Sequence, residues 1–108
     1  MNGSRVLILG VSYKSGVGDT RESPALKIIR LLRELGAEVS YHDPHVAELG
    51  ELGLASAELA PALGDSDAVA IVTAHPEIDY ERLVSDAKLV VDFRGITRGI
   101  SAQNLVRL

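Results

Sequence analysis

Three cations are placed where they could do chemistry together. Lys14 and Arg21 lie in the segment Gly10–Ala25, between a short apolar run and a helix start. Arg94 follows a second apolar run, Lys88–Phe93. Strand-to-helix connections usually take about 2–6 residues, so the first segment is long for its place, and it holds three of the ten glycines. Arginine binds phosphate and carboxylate groups bidentately, and the free N–H groups of a helix N-terminus favour negative charge. Lys14, Arg21 and Arg94 on one sheet edge therefore suit a diphosphate or carboxylate-bearing ligand. The competing reading is that Arg21 and Glu22 are solvated charges and that Arg94 pairs with Asp92 or Asp19.

The elements that must position them are legible from pattern. Val6-Leu7-Ile8-Leu9 is a continuous apolar run ending at Gly10, as expected of a strand buried on both faces. Ser23 can cap a helix and Pro24 suits its first position. Ala25, Ile28, Ile29, Leu32 and Leu35 then repeat at helical spacing, and Gly36 closes the helix. Ala37–His42 alternates as a second strand, ended by Asp43-Pro44. Val46–Gly53 reads as irregular or as one helical turn, and Leu54-Ala55 as a very short strand. Ser56 is placed to cap a short helix over Ala57–Leu63, which Pro61 keeps short or distorted. Ala68–Thr73 is a third buried strand, Asp79 caps a helix through Val84, and Lys88–Phe93 is the fourth strand. The tail from Ile100 to Leu108 is mixed, with a last helical turn as the expectation. The order predicts an α/β fold, a three-layer Rossmann-like domain with a mainly parallel sheet. Its ligands belong beyond the carboxyl ends of the strands, where all three cations fall.

Composition narrows the classes. A chain of 108 residues is one domain, 1–108. It is 46% apolar and 4% aromatic, so the core is aliphatic. There is no cysteine, which excludes disulfides, thiolate metal sites and cysteine nucleophiles within these residues. The net charge of −4 without any Lys/Arg run speaks against a nucleic-acid surface, and no stretch has the ~20 apolar residues of a membrane span. A cytoplasmic location fits. Residues 1–4 are polar and short; they do not form a signal peptide and read as a remnant of expression cloning before the first strand.

Other motifs are weaker. A dinucleotide fingerprint needs Gly-x-Gly-x-x-Gly; Gly10-x-Ser12 fails at its second glycine and Gly16-x-Gly18-x-x-Arg21 at its third. Asp43 lies where a ribose-binding carboxylate could sit, but without the glycine turn this means little. His42, His45 and His75 are not at metal-ligand spacings and are expected in turns or at the surface, so no metal is expected. A phospho-acceptor receiver domain would need an acidic pair after the first strand, where this chain has Gly10-Val11-Ser12.

Four blocks then match a known pattern in order: Gly10-Val11-Ser12-Tyr13-Lys14, Asp19-Thr20-Arg21-Glu22-Ser23-Pro24-Ala25, Tyr41-His42-Asp43-Pro44 and Val91-Asp92-Phe93-Arg94. They resemble the C-terminal, UDP-binding domain of the UDP-glucose/GDP-mannose dehydrogenase family, over nearly the whole chain. The resemblance implies a fragment of an NAD-dependent enzyme that oxidises the C6 alcohol of a nucleotide sugar to a carboxylate using two NAD. The glycine fingerprint, the catalytic cysteine and a central dimerisation region would lie elsewhere in a homo-oligomeric protein. Carried over, Tyr13, Lys14 and Arg94 are the UDP-sugar contacts and Arg21 reaches towards NAD. Phe93 departs from a position that is often small in the family. The resemblance implies no catalytic residue in this chain, which is expected to be inactive alone. The alternatives are a stand-alone nucleotide-binding or regulatory module, and an oligomerisation module whose loop makes a protein interface.

Overall fold

The computed structural model describes residues 3–11, 24–97 and 99–107. Tyr13, Lys14 and Arg21 lie outside the described residues. The elements run β1 Arg5–Leu9, α1 Pro24–Glu34, β2 Glu38–His42, β3 Glu48–Leu49, a 3-10 turn Gly50–Leu52, β4 Leu54–Ala55, α2 Leu59–Asp65, β5 Ala68–Ile71, α3 Tyr80–Asp86, β6 Val90–Asp92 and β7 Leu105–Arg107.

Five strands form one sheet in the order β2-β1-β5-β6-β7, and every neighbouring pair is parallel. The chain winds outward from β1 to β2, then returns and builds from β5 in the other direction. The exits of β1 and β5 therefore form the topological switch point of the sheet, where open α/β folds bind ligands.

Strand periodicity explains the two cores. Val6 and Ile8 of β1 face one side, with Ala25 and Ile29 of α1, Tyr41 of β2 and Leu49 of β3. Leu7 and Leu9 face the other side, with Leu63 of α2, Leu83 and Val84 of α3, Ile71 and Val90. Both faces of β1 are covered, which is why its sequence is a continuous apolar run rather than an alternating one. Three layers result, with α1 on one face and α2 and α3 on the other.

Helix α1 ends as its glycine predicts. Gly36 takes φ +88°, its N–H donates to the Arg33 carbonyl at 3.0 Å, and the Ala37 N–H donates to the Leu32 carbonyl at 3.0 Å. This is the Schellman pattern that satisfies the last carbonyls of a helix. Because the helix stops at Glu34, Leu35 falls in the turn and is 53% exposed instead of completing the buried stripe.

Three expectations are corrected. The segment after Pro44 holds the expected helical turn, Gly50–Leu52, but before it also a two-residue strand, β3, paired antiparallel with β4. Helix α2 starts at Leu59 with Glu58 before it and no side-chain cap; the Ser56 hydroxyl instead accepts from the Asp43 N–H at 3.1 Å. Pro61 then lies in the first turn, where its missing N–H costs no helical bond. The tail is a fifth strand, not a helical turn. Asn104 pins it, donating through Nδ2 to the carbonyls of Val84 at 2.7 Å and Ala87 at 2.8 Å, while its own carbonyl accepts from the Val90 N–H. No helix among the described residues is long and apolar enough to cross a membrane.

Candidate functional site

The carboxyl-terminal edge of the sheet is built on two buried carboxylates, one at the end of β2 and one at the end of β6. Each uses its oxygens to fold the backbone that leaves a strand.

Asp92 has no exposed surface. Its Oδ1 accepts the backbone N–H of Arg94 at 2.8 Å and of Gly95 at 2.9 Å; its Oδ2 accepts the Thr97 N–H at 2.9 Å and the Thr97 hydroxyl at 2.6 Å. Burial alone would push this carboxyl up, but the bonds from Thr97, Arg94 and Gly95 outweigh it and hold Asp92 below the ordinary aspartate value. Gly95 closes the turn at φ +73°, a conformation that glycine adopts without a Cβ penalty. Arg94 is thus presented by a fixed backbone with its side chain exposed. It does not spend its charge on Asp92, whose oxygens are taken by N–H and O–H groups. Phe93 fits because it points outward at 44% exposure while its N–H joins the Ile71 carbonyl at 3.1 Å.

Asp43 is 2% exposed. Its Oδ2 accepts the Val11 N–H at 2.8 Å and the His75 Nε2–H at 3.1 Å, and its Oδ1 accepts the His45 N–H at 2.8 Å. One side chain therefore joins the exits of β1, β2 and β5 at the switch point. This is a bracing role rather than the ribose contact its position allowed. His75 opens a turn, as expected, its carbonyl accepting the Ile78 N–H at 3.3 Å, but it is not at the surface, being 1% exposed. Its backbone N–H donates to the Tyr80 hydroxyl at 2.8 Å. His45 stays at the surface, its Nε2 2.5 Å from Glu77 Oε2, with its ring 4.9 Å from that of His75. His42 donates through Nδ1 to the Ala57 carbonyl at 2.7 Å.

Gly10 opens the long loop at φ +84°, and a Cβ there would lie 2.2 Å from the Thr73 carbonyl oxygen. The glycine serves a close approach of two strand exits. The sequence contains no Gly-x-Gly-x-x-Gly turn, so these residues do not fit a main NAD cradle.

The amino-terminal side of the sheet offers the competing concavity, a groove between β2 and α2. It is lined by Glu38, Glu58 and Asp65, with Arg5 as the single cation, and Arg5 already pairs with Glu38 at 3.3 Å. Three acids make it a poor seat for phosphate. Of the residues singled out in the sequence, Arg94 is placed at the carboxyl edge; Tyr13, Lys14 and Arg21 lie outside the described residues. The bracing roles of Asp43, His75, Thr97 and Asn104 had no sequence signal beyond the Asp-Pro and Asp-x-Arg blocks themselves.

Comparison with known proteins follows this geometry. Residues 7–99 match the UDP-binding domain of the UDP-glucose/GDP-mannose dehydrogenase family. Over 107 residues the chain is 33% identical to a UDP-glucose 6-dehydrogenase of Rhizobium meliloti, covering 91% of this chain and 24% of that protein. A UDP-N-acetyl-D-mannosamine dehydrogenase of Pyrococcus horikoshii is 33% identical over 98 residues, 86% of this chain and 22% of the relative. A solved UDP-glucose dehydrogenase from Pyrobaculum islandicum superposes with a TM-score of 0.80 at 33% identity, covering 98% of this chain and 25% of that one. The chain spans about a quarter of the length of these relatives.

Proposed function

Since the chain belongs to the UDP-glucose/GDP-mannose dehydrogenase family through its UDP-binding domain, we propose that it is the nucleotide-sugar-binding domain of an NAD-dependent UDP-sugar 6-dehydrogenase. The observation that carries the reading is the match over residues 7–99. It includes Arg94 on its Asp92-braced turn, at the sheet edge where such folds receive ligands.

In this reading Arg94 meets the nucleotide sugar from the exit of β6. Tyr13 and Lys14 meet it from the loop after β1, and Arg21 reaches an NAD held mainly by another domain. NAD would supply the hydride acceptors: conversion of the C6 alcohol to a carboxylate takes two of them and one water. This chain contributes no catalytic residue. Its part is to hold the nucleotide through charge and hydrogen bonds so that the sugar is presented to chemistry carried by the rest of the enzyme. Binding energy from such a remote group can support catalysis at the reacting centre. The partners of the chain are then the UDP-sugar, the remaining domains of the same polypeptide, and further copies in a homo-oligomer.

Calorimetric titration of the 108-residue chain with UDP, UDP-glucose, GDP-mannose and NAD tests this. Saturable binding of uridine nucleotides with weaker or absent NAD binding is expected. NAD binding in preference to the nucleotide sugars would contradict it, as would detectable sugar oxidation by the chain alone.

A further inference from the structure

We propose that His45, His75 and Glu77 form a binding site for a zinc-class divalent cation beside the switch point of the sheet. A ring nitrogen from each histidine and a carboxylate oxygen of Glu77 lie within 4.8 Å of one another. His45 sits in the turn after β2, and His75 and Glu77 sit in the loop between β5 and α3. The long sequence separation between the two segments conceals the grouping, which the parallel sheet creates by bringing both strand exits to one edge.

The donor set suits zinc. Imidazole nitrogens and carboxylate oxygens bind it at about 2.0–2.2 Å, and three protein ligands leave a fourth position open to solvent or to a second ligand. On a tetrahedron of that radius the donors stand about 3.4 Å apart. The adjustment required falls on His45 and Glu77, whose side chains are 30% and 46% exposed. The third ligand, His75, is anchored with no side-chain exposure.

Metal-bound imidazoles characteristically give their other ring N–H to a carboxylate, which orients the ring and raises its basicity. His75 Nε2 is 3.1 Å from Asp43 Oδ2, so a buried carboxylate orients the ring. Asp43 is itself fixed by the Val11 N–H, and its other oxygen holds the His45 backbone N–H. A single buried carboxylate thus sets both histidines. The His45–Glu77 contact already brings two of the three donors together. Two imidazoles select zinc, cobalt or nickel over magnesium and calcium, which prefer all-oxygen sites. Cation binding at this cluster requires no nucleotide and is titrated in its absence.

The test is titration of the 108-residue chain with Zn²⁺ and Mg²⁺, and with Co²⁺ followed by its visible absorption. One equivalent of Zn²⁺ should bind, Mg²⁺ should not compete, and bound Co²⁺ should show the intense visible bands of a four-coordinate site. His45→Ala and Glu77→Gln, each checked for an unchanged circular dichroism spectrum, should weaken Zn²⁺ by at least the ~10–100-fold typical of losing an outer-shell partner. His42→Ala, which removes the histidine outside the cluster, should leave affinity unchanged. Absence of one-site saturation, equal binding of Mg²⁺, or equal affinity in parent, His45→Ala and Glu77→Gln proteins would overturn the proposal. So would an equal loss in His42→Ala and His45→Ala.

Discussion

Arg94 donates its backbone N–H to Oδ1 of Asp92 over 2.8 Å, so an exposed cation is held in place by a carboxylate that has no exposure. The backbone of the arginine is thus fixed while its side chain stays exposed. Two different losses are expected when each member of the pair is removed.

Asp92→Asn should destabilise the chain by roughly 1–3 kcal/mol, because the amide places donors against buried N–H groups that lose their acceptor. The effect has a pH signature. The folded-state value of Asp92 is below the 3.8 of an unperturbed aspartate, so its contribution is complete above that value and is lost as pH falls through the lower folded value. Urea unfolding at a series of acid pH values should show a shallower acid limb in the variant than in the parent. Parallel limbs would show that Asp92 carries no such contribution.

Arg94→Ala should behave oppositely. Exposed substitutions away from special backbone features usually change stability by no more than about 0.5 kcal/mol, so thermal unfolding should be unaffected. Affinity for UDP should fall by about 1.5–3 kcal/mol, the typical worth of hydrogen bonds to a charged group. Calorimetry of the two proteins side by side measures this, and an unchanged affinity would remove Arg94 from the site.

Gly10→Ala combines a left-handed backbone with a clash on the Thr73 carbonyl. Strain of about 1–2 kcal/mol and overpacking of about 1–3 kcal/mol predict a total loss of roughly 2–5 kcal/mol in denaturant unfolding. Gly3→Ala, where the added Cβ meets nothing within 4 Å, isolates the backbone component and should cost less.

Tyr41 is buried, and its hydroxyl donates to the Val46 carbonyl at 2.9 Å. Burial, followed by the charges of Asp43 and Glu48, pushes the phenol up to about 12. The neutral phenol is the folded form, so its contribution is complete below the ordinary value of 10 and lost as pH rises through about 12. Tyr80 is also raised, chiefly by burial, so ultraviolet titration of the tyrosines should show a late phase that Tyr41→Phe reduces in amplitude, with a stability cost of about 1 kcal/mol near neutral pH.

The fold was legible wherever a segment's environment was uniform. The continuous run Val6–Leu9 is buried on both faces, and the Gly36 cap is local chemistry, so both could be read directly. The tail could not, because β7 exists through Asn104 bridging to α3 and through pairing with β6, contacts far apart in sequence. The same holds for β3, whose two residues are strand only because β4 returns beside them. The place of Arg94 at the carboxyl edge was readable from its position after an apolar run. His75 was readable as a turn residue but not as a buried one, since only the packed sheet brings it against Asp43.

The central claim is that nucleotide meets the carboxyl edge of the sheet. Amide chemical-shift mapping of the isotope-labelled chain during UDP titration tests it most directly. The predicted result is saturable perturbation concentrated at Gly10, Val11, Arg94 and Gly95. Perturbation concentrated at Arg5, Glu38 and Asp65 on the opposite side, or no saturable change at either edge, would contradict it.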